Sequence, residues 1–365
     1  MGWIYDVAKA RELVGRKFSV VTHGGVAHMD DLLSVALLYR RAEAVYRLST
    51  YGEVLNVGGN VLLVDFGDGF REKLPERYVV LDHHGVADPS QEPSSVVQVA
   101  TLLEVGTTPL VATLTHFVDI FDRFGPSVKR WAGVYGNSLN HGLTQYFSGL
   151  NGLVRDRFLE LVADAYHSRL DVDVTSLSSS LKVVERLQFS DLAESFPKTF
   201  QMLRLMLDAA RDVSVALSRE AMEVGFGLDF GCFAVLAVPE LEPYVVRGLE
   251  RYLSEARHAA ETAASGRYIL VKNAVAVEDY LSPAMFWNAL QDVGVIDGPA
   301  FVVVKNRRDP GTYVAWRPDR YSTIFDFRKL KGEEVIFKHA TGFLAVIKAK
   351  TAEEAAQYVL RQLAV

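Results

Sequence analysis

The chain has 365 residues, 49% of them hydrophobic and 23% charged, which is too long for one ordinary domain and too apolar for a disordered chain. Its 39 basic and 45 acidic residues leave a formal charge of −6, which excludes a protein that coats nucleic acid through bulk positive charge. A single cysteine, Cys232, excludes an internal disulfide framework and any cysteine-cluster metal site.

The run Lys-Phe-Ser-Val-Val-Thr over 17–22 reads as a buried strand, followed by a loop at His23-Gly24-Gly25. Residues 30–42 carry helical apolar spacing through Leu32, Leu33, Val35, Ala36, Leu37 and Leu38. Further strands are expected at 44–48, 61–64 and 78–81, so the front of the chain is an α/β unit with a mainly parallel sheet. From 97 to 222 the pattern is mostly helical and ends in a long helix from Pro197 to about Val224. Strand-like runs return at 225–238, 268–271, 301–304 and 313–316, and a helix over 352–363 closes the sequence. This predicts two domains, 1–195 and 196–365, the second a smaller α/β unit entered through a helical linker. The apolar runs are too short for a signal peptide or a membrane span, so a cytoplasmic protein with no membrane partner is expected. The oligomeric state has no signature in the sequence.

Charge and histidine are unevenly spread. Five of the nine histidines (His23, His28, His83, His84, His116) fall in the first 116 residues, mostly beside aspartates. Residues 301–350 hold eleven Lys/Arg against five acids, a local +6 that leaves −12 for the remainder. Such a division suggests a metal site and an anion-binding surface.

The polar residues cluster at predicted strand ends, where α/β sheets place their sites. They are His23-Gly-Gly-Val-Ala-His28-Met-Asp30-Asp31, then Asp65, then Asp82-His83-His84, then Asp119 or Asp122. Imidazoles and carboxylates without thiolates suit Mn²⁺ or Mg²⁺, and Zn²⁺ less well. The donors suffice for two ions sharing a carboxylate, which suits hydrolysis of a phosphate ester or anhydride. Each piece also has a plainer reading: Asp30 as a helix cap, Asp65 as part of a turn, Gly24-Gly25 as turn geometry. His116 and His141 read as structural, and Cys232 as a small core residue.

Asp82-His83-His84 after an apolar strand resembles the signature of the DHH phosphoesterases, which include RecJ-type exonucleases and family II inorganic pyrophosphatases. The front motif Thr22–Asp31 is most similar to the MYG-type family, the melanocyte-proliferating-gene proteins. So are Arg77–His84, Phe117-Val-Asp-Ile-Phe-Asp122 and Phe337-Lys-His339-Ala-Thr-Gly342-Phe343. The resemblance implies a DHH-type sheet and an active site in a cleft between two domains. It implies that His23 and His28 hold one metal, Asp30 and His83 the other, with Asp65 bridging and Asp122, with Asp119 as competitor, completing the set. His84 would face the substrate phosphate or leaving group, with Asp82 supporting it. His339 and the Gly342 backbone would bind phosphate, with Arg317 and Lys338 as further contacts. The implied activity is exonucleolytic hydrolysis of RNA or single-stranded nucleic acid with Mn²⁺ or Mg²⁺. The alternatives are a small-molecule phosphohydrolase and a non-catalytic binding subunit. The chain departs from the family pattern at Asp31 (usually Glu), at Phe66-Gly67-Asp68 where a glycine pair often follows the bridging Asp, at Gly85 in place of Gln, and at Asp122-Arg-Phe-Gly in place of Asp-Asn-Gly.

Overall fold

The computed structural model describes residues 2–85, 88, 90–107, 111, 115, 118–119, 122–123, 138–168, 190–199, 239–339 and 341–364. The expected strand over 225–238, most of the helix from Pro197 to Val224, His116 and Cys232 lie outside them, as does the side chain of His141. Packing divides the described chain into two compact units, one with the residues up to 168 and 239–251, the other with 190–199 and 252–364. The division is discontinuous, where the sequence predicts a single boundary near 195.

The first unit opens with helix α1, Gly2–Val14, and then builds a five-stranded sheet. Its strands are β1 (Phe18–His23), β2 (Ala44–Leu48), β3 (Asn60–Val64), β4 (Tyr78–Leu81) and the short β5 (Gly152–Leu153), in the order β4-β3-β1-β2-β5. The first four are parallel, and β5 adds antiparallel to the edge at β2. Parallel strands are covered on both faces and therefore read as unbroken apolar runs. Accordingly every residue of β1 and β4 is buried. Val21, Leu63 and Val80 pack on Val54 and Val57 on one face. Helix α2, Met29–Leu38, packs against helix Ser95–Leu102 and helix Arg157–Ser168. It stops short of the expected Ala42, because Arg41 and Ala42 turn back onto the Leu38 carbonyl and the Glu43 amide joins Phe18 to start β2.

The strand order fixes where a site can form. From β1 the chain moves to β2 on one side, then crosses to β3 on the other. The reversal leaves a crevice at the carboxyl ends of β1 and β3. His23 ends β1 and Asp65 follows β3.

The second unit has the strands β6 (Ile269–Val271), β7 (Ala274–Ala276), β8 (Phe301–Lys305), β9 (Thr312–Trp316), β10 (Val335–Lys338) and β11 (Leu344–Lys348). They form a six-stranded sheet in the order β10-β11-β9-β8-β7-β6. All neighbours are antiparallel except β7 and β8. Ala352, Ala355, Ala356, Val359 and Leu360 of the closing helix pack with Phe301, Val303, Ala315 and Ile347. Each fully buried large aliphatic contributes about 1.5–3 kcal/mol there. Thr351 caps that helix by accepting from the Glu354 amide at 3.1 Å. Both units are thus mixed α/β, as the sequence predicts. No helix among the described residues is long and apolar enough to cross a membrane.

Candidate metal centre

The crevice between β1 and β3 gathers the four sequence motifs. His23 is its first wall, and the loop from Gly24 to His28 is tied at three points. The Gly25 carbonyl accepts from Arg47 Nη2 at 3.2 Å. The Ala27 amide donates to Ser148 Oγ at 2.6 Å, and the His28 amide donates to Asp31 Oδ1 at 2.9 Å. The rings of His23 and His28 end up 5.1 Å apart. Asp31, not Asp30, therefore serves the start of its own helix. Asp30 instead receives the amides that open helix Ser95–Leu102, Ser95 on Oδ2 and Val96 on Oδ1, each at 2.8 Å.

Asp65 lies at the centre. Its φ of 53° places it in the left-handed region, which aspartate tolerates better than most residues. Its amide donates to the Leu81 carbonyl at 3.0 Å. Its carboxylate is 2% exposed as a residue, yet neither oxygen has a hydrogen-bond partner among the described residues. The nearest donors are imidazoles: His23 Nε2 at 3.4 Å, His84 Nδ1 at 3.5 Å and His83 Nδ1 at 3.8 Å.

Asp82, His83 and His84 follow β4. Asp82 Oδ1 accepts from the His83 amide at 2.8 Å, the His84 amide at 3.2 Å and His84 Nδ1 at 2.7 Å, while Oδ2 accepts from the Asp68 amide at 3.0 Å. Asp82 therefore shapes the turn and orients His84, whose side chain is 41% exposed. His83 is buried with its Nε2 2.8 Å from Asp122 Oδ2. Between the two carboxylates that spacing left open, the fold brings Asp122 to the centre. Asp119 accepts from the Ser94 amide at 2.8 Å and pairs with Arg123.

Among the described residues three sets could hold a metal ion, the donor atoms within each lying within 4.8 Å of one another: His23, His28 and Asp65; Asp30, Asp65, His83 and Asp122; and Asp65, Asp82, His83 and His84. Asp65 belongs to all three. The electrostatics show why a cation fits. Burial, and then the neighbouring Asp30, Asp122, Asp82 and Asp31, push the Asp65 carboxyl well above the usual range. Burial and the Asp122 charge push Asp30 up to about 6. Burial opposes protonation of His83, but the hydrogen bond and charge of Asp122 raise it to about 9. Asp82 goes the other way: burial disfavours its charge, yet the His84 bond and charge hold it well below the usual range. A buried, unbonded carboxylate among like charges is costly unless a cation relieves it.

No family model and no curated protein matches this chain. Among solved structures it is similar to RecJ in complex with Mn²⁺ from Thermus thermophilus, at 18% identity and a TM-score of 0.38, covering all of this chain and 54% of that one. It is also similar to an uncharacterized protein from Helicobacter pylori, at 10% identity and a TM-score of 0.26, over 95% of this chain and all of the other. The chain therefore spans about half the length of RecJ. At such scores the chemistry of the centre rests on its own geometry.

The residues expected to contact phosphate are otherwise engaged. Arg317 is 2% exposed, and its guanidinium donates to the carbonyls of Phe325 at 2.7 Å, Pro318 at 3.3 Å and Thr341 at 3.3 Å. It ties loops together inside the second unit, where a surface phosphate contact was expected. Lys338 is exposed, but its Nζ donates to the Arg328 and Leu330 carbonyls at 3.1 and 2.9 Å. The Gly342 amide donates to the His339 carbonyl at 2.8 Å, which removes the phosphate donor expected of it. Gly342 has φ +70°, and a Cβ there would stand 2.6 Å from Asp326 Oδ1, so the tight turn requires glycine. His339 Nδ1 lies 3.2 Å from the Thr341 amide and 3.0 Å from the Thr341 hydroxyl, which hold the ring edge toward the turn. Phe327, one of the aromatics near this region, is fully buried in the sheet core.

The sequence reading missed Arg47, Asp68, Arg71 and Ser148. Arg47 is the one charged residue of the strand Ala-Val-Tyr-Arg-Leu. It is 1% exposed and pairs with Asp31 at 2.6 Å. Arg71 clamps Asp68 through Nε and Nη2 and Asp6 through Nη1.

Proposed function

We propose that the chain is a divalent-metal-dependent phosphoesterase of the DHH type, nearest to the MYG family, acting as an exonuclease on RNA or single-stranded nucleic acid. One observation carries the reading: the Asp65 carboxylate is buried, unbonded and shared between a His23/His28 set and an Asp30/His83/Asp122 set. That is the donor arrangement two adjacent cations require, Mn²⁺ being the better match and Mg²⁺ the second. When bound, such a pair lowers the pKa of a water and offsets charge on a phosphoryl oxygen under in-line attack.

The protein's own contribution is placement. His23 and His28 would hold one ion, Asp30, His83 and Asp122 the other, and Asp65 both. Asp30 is fixed by two amides and Asp65 by its turn, so the carboxylates need little rearrangement. Asp82 grips His84 Nδ1 and leaves the other edge of the ring for the leaving-group oxygen, to which it would deliver a proton.

The engagement of Arg317 and Lys338 in loop contacts favours a second reading, hydrolysis of small phosphate compounds such as pyrophosphate, polyphosphate or a dinucleotide. One assay separates the readings. Purified protein with Mn²⁺ is offered 5′- and 3′-labelled RNA and DNA, pyrophosphate and dinucleotides. A ladder of shortened products supports the exonuclease. Phosphate release from pyrophosphate alone replaces it with the second reading. Intact Mn²⁺ binding with no turnover makes the chain a binding subunit.

A further inference from the structure

Arg47 sits in β2, a strand flanked by β1 and β5, and its side chain has no exposure. The register sets it beside Thr22, one residue before His23. Its Nη1 donates to Asp31 Oδ2 at 2.6 Å, its Nη2 donates to the Gly25 carbonyl at 3.2 Å, and its guanidinium lies over the Phe147 ring at 4.5 Å. Asp31 uses its other oxygen for the His28 amide, and its Oδ2 is 3.5 Å from His23 Nε2. One buried ion pair thus touches the loop at its start, at its end and at the first histidine ring.

A buried ion pair is a poor way to stabilise a fold, because desolvating both charges offsets most of their attraction. Its value lies in what it fixes. Asp31 is adjacent in sequence to Asp30 and close to His23, so an uncompensated Asp31 would compete for any cation entering the centre. Paired with Arg47, its charge is matched, with Oδ1 committed to the loop and Oδ2 to the guanidinium.

We propose that Arg47 is a positioning residue for the His23/His28 half of the centre and acts through Asp31. This rests on the reading of the centre as a metal site. Supporting partners of metal ligands typically affect affinity by about ten- to a hundredfold. The effect here should be confined to one half, since Asp30, His83 and Asp122 are held by other contacts.

The test is Mn²⁺ titration by calorimetry, with electron paramagnetic resonance and melting temperature, on the full chain. His23→Ala identifies which class of Mn²⁺ site depends on the histidine half. Arg47→Met is expected to weaken that class about ten- to a hundredfold while the other class moves by less than about threefold. Arg47→Lys should recover part of the loss. In an Asp31→Asn background, Arg47→Met should add less than about threefold, because the route through Asp31 is already broken. The Asp31→Asn/Arg47→Met double variant leaves no unpaired buried charge, so the question remains answerable if Arg47→Met alone does not fold. Wild-type binding of both ions in Arg47→Met would overturn the proposal alone. So would parallel loss of both classes along with the melting temperature, or effects of Asp31→Asn and Arg47→Met that simply multiply. Absence of Mn²⁺ binding in the wild type would remove the metal centre, and this proposal with it.

Discussion

Asp68 and Gly85 bond to each other: the Gly85 amide donates to Asp68 Oδ2 at 2.7 Å. The contact joins the turn after β3 to the residue that follows His84. A Cβ on residue 85 would stand 2.8 Å from that same oxygen. Arg71 holds Asp68 from the other side, and the Asp68 amide reaches Asp82. The pair therefore sets the turn that carries His84.

Gly85→Ala should accordingly destabilise the protein by about 0.5–1.5 kcal/mol, the range for one hydrogen bond, because the Asp68 carboxylate must shift off the Gly85 amide. Asp68→Gly/Gly85→Gln should cost less than the sum of its single changes, since the two positions share one contact. Urea denaturation of wild type, the single variants and the double variant measures both, and strict additivity would contradict the coupling.

Asp65→Asn should separate function from stability. Removing the shared charge is expected to abolish Mn²⁺-dependent turnover, at least about a hundredfold. The same change relieves a carboxylate whose charge is disfavoured by burial and by its neighbours. At pH 8 without metal the variant should be more stable than wild type by at least about 1 kcal/mol. Thermal melts in a chelator check the second half, and retained activity would remove the shared-carboxylate assignment.

The metal-free protein should lose stability as pH rises. Asp30 is raised to about 6 and Asp65 is raised well above its ordinary value, so from about pH 4 up to the raised values the folded state holds protons that the unfolded state has released. Stability falls through that window. His83, raised to about 9, adds a fall between its unfolded value near 6.5 and 9. Asp82 and Asp31 are lowered and act in the opposite sense, but only below about pH 4. Mn²⁺ should raise the melting temperature strongly at pH 8 and weakly at pH 5, where protons compete for the same atoms. A chelated protein that melts higher at pH 8 than at pH 5 would contradict this.

The parallel strands were legible because buried strands are continuous apolar runs: Val61–Val64 and Tyr78–Leu81 stand out from the polar residues that follow them. His23, Asp65 and Asp82 stood out for the same reason, since each stands at the end of an apolar strand, whereas His28, Asp30 and Asp122 carry no such mark. Arg47 was not legible, because a single arginine in a short strand reads as solvent-facing until its partner sixteen residues upstream is known. The hairpin of β10 and β11 escaped notice because β10 is an edge strand with Ile336 and Phe337 exposed, so its pattern lacks the buried alternation of a sheet interior. Arg317 misled in the opposite direction. Local positive charge says nothing about whether a given guanidinium faces outward.

Arg317→Met should therefore act on the fold. It leaves the carbonyls of Phe325, Pro318 and Thr341 without a donor, at a cost of about 1–3 kcal/mol for each that stays buried and unsatisfied. Lys338→Met should cost less than about 1 kcal/mol, its head group being exposed. Denaturant unfolding ranks the two, and equal small effects would return Arg317 to the surface role expected from sequence.

The centre also has a topological consequence. Ions sharing Asp65 would link His23 on one side to Asp122 on the other, positions spread over about a hundred residues of chain, and so close loops that nothing covalent closes. They would serve as a removable cross-link in a sequence whose lone cysteine, Cys232, cannot supply one internally. Chelation would then lengthen the chain's free loops as well as silence its chemistry. Unfolding should quicken on the timescale at which the ions are withdrawn.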